Sequence, residues 1–233
     1  MSDKQYPQIL YASDRSILIR TGSTISKENH TDVYKIFLLL TSQKIKGIQT
    51  IHPAYNSVLV TFDTLKVRQK MMLEILEEIV KEKNSVQLAE QRIVEIPVCY
   101  ENEFAPDILD VATHNNISVE EVIGYHCKPE YLVYFLGFSP GFPYLGGMQK
   151  EISIPRLKTP RIKVPAGSVA IGGDQTGIYP VSSPGGWRII GRTPEKLFLQ
   201  GNTPPTLLKM GDYVKFVPIT RDEFENRMNR EKN

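Results

Sequence analysis

Cysteine and tryptophan are scarce in this chain. Among 233 residues there are two of the first, Cys99 and Cys127, and one of the second, Trp187. The two cysteines have no metal-ligand spacing and read as reduced thiols rather than a disulfide. Long apolar runs are missing as well: none approaches the ~20 residues that a membrane-spanning helix needs. Residues 1–7 are polar and lack the basic-then-apolar layout of a secretory signal. The expectation is therefore a cytoplasmic protein with no membrane segment. Asn29-His30-Thr31 and Asn116-Ile117-Ser118 match the glycosylation pattern, which a cytoplasmic chain does not use. Histidine is limited to His30, His52, His114 and His126, scattered and without an H-E-x-x-H pattern, so no metal site is expected. The net charge is only +2 and no Lys/Arg cluster interleaves with aromatics, which argues against nucleic acid as a partner. A G-x-x-x-x-G-K-[ST] phosphate loop is absent too.

What is present is ordinary in bulk and uneven along the chain. Hydrophobic residues make up 41% and charged residues 23%, enough for a buried core in one large domain or two small ones. Of 16 glycines, 13 lie between positions 137 and 211, and so do 10 of 16 prolines. That asymmetry places a turn-dense β region after a smoother α+β region.

In the first region, short β patterns at 9–11 and 16–19 precede a helix over 29–46, with Val33, Ile36, Phe37 and Leu40 at core-facing spacing. Strands at 47–51 and 57–62 follow, then a helix over 65–83. One apolar row on it runs Val67, Met71, Ile75, Ile79, and a second, Met72, Leu76, Val80, lies beside it. The order β-α-β-β-α, then β, suggests a small ferredoxin-like α/β sandwich over 1–88. The second domain, 89–233, opens with a strand over 92–98 and short helices over 106–114 and 118–126. Ser118 with Glu121 three residues later is a capping-box pattern. Strands are then expected at 131–138, 152–154, 163–171, 177–181, 187–190, 197–200 and 213–217, with a charged, frayed helix from 220. So many short strands among Gly/Pro turns mean a small barrel or a sandwich.

Gly137-Phe138-Ser139-Pro140-Gly141 fits the G-x-S-x-G pattern of serine hydrolases but not its mechanics. The oxyanion hole there uses the N–H of the residue after the serine, and Pro140 has none. Gly172-Gly173-Asp174-Gln175-Thr176-Gly177 is glycine-rich but lacks a lysine and lies between strands, so it reads as a tight turn. His126 falls at the end of a helix, where the dipole favours a charged imidazole. Arg156, Arg161 and Lys163 are three of the four cations in residues 156–163, a stretch that follows Pro155 and is interrupted by Pro160. Arginines on stiffened loops suit a carboxylate or a phosphate, which the guanidinium fork grips with two hydrogen bonds. A solvated edge strand uses the same charges against aggregation. Trp187 follows Gly185-Gly186 and reads as a core anchor or as the floor of a small-molecule pocket.

Several segments carry a resemblance. They are Gly137-Phe138-Ser139-Pro140-Gly141-Phe142-Pro143-Tyr144-Leu145-Gly146-Gly147, Pro155-Arg156 with Thr159-Pro160-Arg161, and Val164-Pro165-Ala166-Gly167-Ser168-Val169-Ala170-Ile171-Gly172-Gly173. Gln175-Thr176-Gly177-Ile178-Tyr179-Pro180, Ser183-Pro184-Gly185-Gly186-Trp187 and Gly191-Arg192-Thr193-Pro194 continue the series, with Ile96-Pro97-Val98-Cys99-Tyr100 and His52-Pro53-Ala54-Tyr55 upstream. Together they resemble the family that contains the 5-oxoprolinase B subunit, whose members are also described as allophanate hydrolase subunit 1 and as a sporulation-kinase inhibitor.

The resemblance implies an α+β protein whose second domain is a cyclophilin-like β-barrel. It also implies one component of an ATP-dependent lactam hydrolase, inactive alone, that works with the C and A subunits to convert 5-oxoproline to glutamate. The lactam is an unactivated amide, and phosphorylation would turn its oxygen into a leaving group, so ATP with Mg²⁺ is expected of the assembled complex. Such a site needs donors for a carboxylate and cationic groups for phosphoryl charge. The expected site residues are His126 and Gln175 for catalysis, with Arg156, Arg161, Tyr144, Tyr179, Trp187 and Arg192 holding substrate or phosphate. Two alternatives are implied alongside: a binding protein that inhibits a sensor histidine kinase, and a carboxyltransferase-like component of a urea or allophanate pathway.

Overall fold

The computed structural model describes residues 5–230. They fall into two compact units that divide in sequence between Glu90 and Gln91.

The first unit runs β1 (Gln8–Ser13), β2 (Ser16–Arg20), α1 (Lys27–Ser42), β3 (Ile48–Pro53), β4 (Ser57–Phe62) and α2 (Gln69–Glu82). Ser26 starts α1, its hydroxyl accepting the Asn29 N–H at 3.2 Å. Strand alternation sends Ile17, Ile19, Val58, Val60 and Phe62 to one face of an antiparallel sheet of order β1-β2-β4-β3. Val33, Ile36 and Leu40 of α1 are buried, as are Met72, Leu76, Ile79 and Val80 of α2. Helix α2 begins four residues later than its pattern suggests, so Val67 precedes it. The buried stripe is then the 72, 76, 79, 80 row, and Met71 is 55% exposed. This is the expected ferredoxin-like sandwich with one change. The sheet edge beside β2 is filled by β1, from the front of the chain, and not by a strand after α2.

The second unit runs β5 (Ile93–Cys99), α3 (Ile108–Asn115), α4 (Val119–Cys127), β6 (Tyr131–Leu136), β7 (Pro143–Gly146), β8 (Arg161–Val164), β9 (Ser168–Gly172), β10 (Gln175–Ile178), β11 (Ser183–Gly185), β12 (Arg188–Arg192), β13 (Tyr213–Ile219) and α5 (Arg221–Arg230). Seven strands close a barrel in the order β10-β7-β6-β13-β5-β12-β9, while β8 and β11 pair as a separate two-stranded arm. The choice between barrel and sandwich is thus settled as a barrel. Its interior holds Ile96, Val98, Tyr131, Val133, Leu145, Val169, Ile171, Ile190, Val214 and Phe216, joined by Ile108, Val111 and Val122 from α3 and α4. The capping box of α4 is complete: Ser118 accepts the Glu121 N–H at 3.1 Å, and Glu121 accepts the Ser118 N–H at 2.8 Å.

Three expected strands come out differently. Residues 163–171 are two strands, β8 and β9, because Pro165 has no N–H for a ladder and Gly167 turns the chain at φ +81°. A Cβ there would sit 2.4 Å from the Thr193 carbonyl oxygen. Residues 152–154 end a 3₁₀ turn and make one bridge, Ile154 to Gly173. Residues 197–200 make only the bridge from Phe198 to Thr206. β7, unexpected from sequence, pairs with both β6 and β10.

Gly172 sets the seat of the one indole in the chain. A Cβ on it would lie 2.6 Å from the ring of Trp187, which is 6% exposed. Gly172→Ala is expected to displace the indole, at a cost of about 1–3 kcal/mol for overpacking. Since Trp187 is the sole tryptophan, denaturant melts and a red-shifted emission spectrum of the variant check this directly.

Candidate functional site

Strand parity builds the site on the outside of the barrel. Leu145, Val169, Ile171 and Ile190 face the interior, so their neighbours Tyr144, Ala170 and Ile189 face the other way. There they meet Phe142, Tyr179, Trp187 and, from the β8–β11 arm, Val164 in a second apolar cluster. Between this cluster and the arm lies a cleft of about 460 Å³, within the usual span for small-molecule sites. Phe142, Tyr144, Tyr179 and Trp187 wall one side; Leu157, Pro160 and Pro184 wall the other; Phe138 and Arg156 complete it. A hollow of similar size beside α5 is lined by Glu195, Glu223, Arg227 and Arg230 and gathers no aromatic ring.

Phe142 is the hub of the aromatic wall. Its ring centroid lies 5.2 Å from Tyr144, 5.3 Å from Tyr179 and 5.7 Å from Trp187, the last two edge-on. Edge-to-face packing of this kind fixes ring orientation beyond what area burial alone does. The Arg156 guanidinium stands 5.6 Å above the Trp187 ring, a cation–π distance. Burial pushes the Tyr179 phenol up, while a backbone hydrogen bond from Trp187 and the charges of Arg156 and Arg161 draw it partly back. The cleft is thus an apolar slot with one cation and two phenols, suited to a small flat ring that carries an anionic group.

Of the eight residues expected from sequence, the structure brings four together here: Tyr144, Arg156, Tyr179 and Trp187. Arg161 stands at the start of β8, but its fork is taken. Nη1 and Nη2 donate to the two oxygens of buried Asp107 at 2.8 and 2.7 Å. Gln175 pairs with Gly172 across the β9–β10 hairpin and does not line the cleft. Arg192 donates from Nε to the Ala166 carbonyl at 2.9 Å and lies 5.9 Å from the Phe224 ring.

His126 is elsewhere again, fully buried inside the barrel against Phe216 at 4.3 Å. Thr176 Oγ1 donates to the Ala170 carbonyl at 3.2 Å, so it accepts from His126 Nε2–H at 2.9 Å. Nδ1 is left to accept the Tyr100 hydroxyl at 2.8 Å. The helix-end position suggests a charged imidazole; burial decides the opposite, lowering its pKa from 6.5 to about 3.

Phe138, Phe142, Leu157 and Pro160 join the cleft without having been expected from side-chain chemistry. The signal available for them is the aromatic spacing 138, 142, 144 within a glycine-bounded segment. Ser139 is placed with no base beside it. Its hydroxyl is buried without a hydrogen-bond partner among the described residues, and His126 is committed to Tyr100 and Thr176.

The chain belongs to the carboxyltransferase-domain family, subdomains C and D, which matches residues 7–208. It is 44% identical to the 5-oxoprolinase B subunit of Bacillus subtilis strain 168, over 93% of this chain and 95% of the relative. It is 27% identical to the urea amidolyase of Saccharomyces cerevisiae, over 94% of this chain but 14% of that protein. The solved protein TTHA0988 superposes with a TM-score of 0.78 at 34% identity, over 88% of this chain. This chain spans 40% of that longer one.

Two outcomes test the placement of His126 and Ser139. The neutral His126 contributes stability that is complete above pH 6.5 and is lost as pH falls toward 3, because the unfolded state takes up the proton first. The whole loss is on the order of 5 kcal/mol. Urea melts between pH 7 and 4 will show this slope, and His126→Gln will flatten it. Ser139→Ala removes an unsatisfied hydroxyl, so activity of the assembled enzyme should stay within about threefold and stability should hold or rise by up to about 1 kcal/mol.

Proposed function

We infer that this chain is the B subunit of an ATP-dependent 5-oxoprolinase, which opens 5-oxo-L-proline to L-glutamate in complex with partner subunits. The observation that carries this reading is the near full-length identity of 44% with the Bacillus subtilis B subunit. The cleft supports it. Tyr144, Tyr179 and Trp187 offer flat faces and phenolic hydroxyls to a small lactam, and Arg156 offers a two-pronged donor to its carboxylate. Arg161 drops out of that role, because Asp107 holds its fork.

The partners in this reading are the C and A subunits, in the cytoplasm, and ATP with Mg²⁺ serves the assembled complex. Gly172 to Gln175 forms the turn of the β9–β10 hairpin and not the start of a helix, so it does not make the usual phosphate cradle. A second reading, carboxyl transfer to urea, draws on the yeast urea amidolyase, which matches almost the whole of this chain.

Co-expressed with the C and A subunits, the chain should give glutamate from 5-oxoproline in an ATP-dependent reaction, and none when purified alone. Glutamate from the chain alone, or activity only with urea, sinks the reading. Within the active complex, Arg156→Lys loses the fork and should lower kcat/KM about tenfold to a hundredfold. Unchanged kinetics would remove Arg156 from substrate binding.

A further inference from the structure

We propose that Phe138 is a specificity-determining residue, a ring held at the mouth of the cleft to close it over a small cyclic acid. This rests on the 5-oxoprolinase reading above and goes beyond it. Phe138 sits in the loop between β6 and β7 with φ +64°, a left-handed conformation that glycine takes freely and a bulky side chain does not. The loop enforces it: Gly137 N–H donates to the Phe142 carbonyl at 3.0 Å, Ser139 N–H to the Gly137 carbonyl at 2.7 Å, and Phe142 N–H to the Ser139 carbonyl at 3.1 Å.

Folding gains little from a phenyl ring at this position. Phe138 is 66% exposed, so the strain is not repaid by burial. Glycine or asparagine would form the same turn with less strain. Strain of this kind persists where function requires it. The ring itself is well placed. It lines the cleft, 5.6 Å from Phe142 at 70° and 6.5 Å from Tyr179 at 90°. The cleft's volume of about 460 Å³ is what remains with this ring among its lining, so removing the ring opens its mouth further. The six-membered homologue of the substrate, 6-oxopiperidine-2-carboxylate, is the probe of whether this ring sets the size of acid the cleft prefers.

The test uses the assembled complex carrying Phe138→Gly, Phe138→Asn or Phe138→Tyr. Glycine and asparagine keep the turn and remove the ring, so KM for 5-oxoproline should rise about tenfold or more with kcat within about threefold. Their Tm should be no lower than wild type. The preference for the five- over the six-membered lactam should narrow, and Phe138→Tyr should restore both KM and preference. Unchanged KM and preference in the first two variants overturn the proposal. So does a Tm drop of several degrees, which would make Phe138 a packing residue, or loss of the C subunit on purification, which would make it an assembly contact. A wild-type complex inert toward 5-oxoproline overturns the underlying reading instead, so the two failures are distinguishable.

Discussion

One carboxylate ties the barrel unit together. Asp107 is 4% exposed at the start of α3, and both its oxygens are engaged. Oδ2 accepts the Ile189 N–H at 2.7 Å and Arg161 Nη1 at 2.8 Å, while Oδ1 accepts Arg161 Nη2 at 2.7 Å. A buried carboxylate is tolerated only when its lone pairs are met in this way. Through Ile189 it grips the barrel wall, and through Arg161 it grips the β8–β11 arm. Pro160 stands immediately before Arg161, and the Leu157 N–H reaches the Gly186 carbonyl at 2.7 Å. The wall of the cleft opposite the aromatics therefore hangs from this ion pair.

The two faces of the barrel strands do different work. Inward residues make an apolar interior in which even a histidine is neutral and hydrogen-bonded at both ring nitrogens. Outward residues of β7, β9 and β12 are covered by the aromatic cluster and the arm, and there rings and a guanidinium gather around open space. Gly172 sits where the two meet, because its missing side chain lets the indole of Trp187 lie close against β9. A rigid wall of interlocked rings is what orientation of a small substrate demands.

Local features are legible in the sequence and non-local ones are not. The capping box of Ser118 and Glu121 needs only four neighbouring residues, and it forms as its pattern implies. Most strands of the second unit can be placed because glycine and proline punctuate them. β7 escapes notice because four residues between glycine turns carry too little alternation to register. The stretch over 163–171 reads as one long strand because its apolar pattern hides the left-handed turn at Gly167. Four cleft residues stand out by side-chain chemistry beside turns. Arg161 looks free in sequence because its partner, Asp107, is 54 residues away. His126 looks like a candidate for charge because sequence shows a helix end but not what that end is packed against.

The pairing of β5 with β13 has a consequence for the order in which the protein is made. These strands run parallel over seven matched residues, from Ile93 with Tyr213 to Cys99 with Ile219, and β13 also joins β6. As the chain leaves the ribosome, β5 emerges early and its neighbour more than a hundred residues later. Until then β5 and β6 each present an unpaired edge, the kind of surface that templates association with other chains. Barrel closure is accordingly a late, long-range event, and the nascent chain passes through an open-sided stage before the last strand seals it.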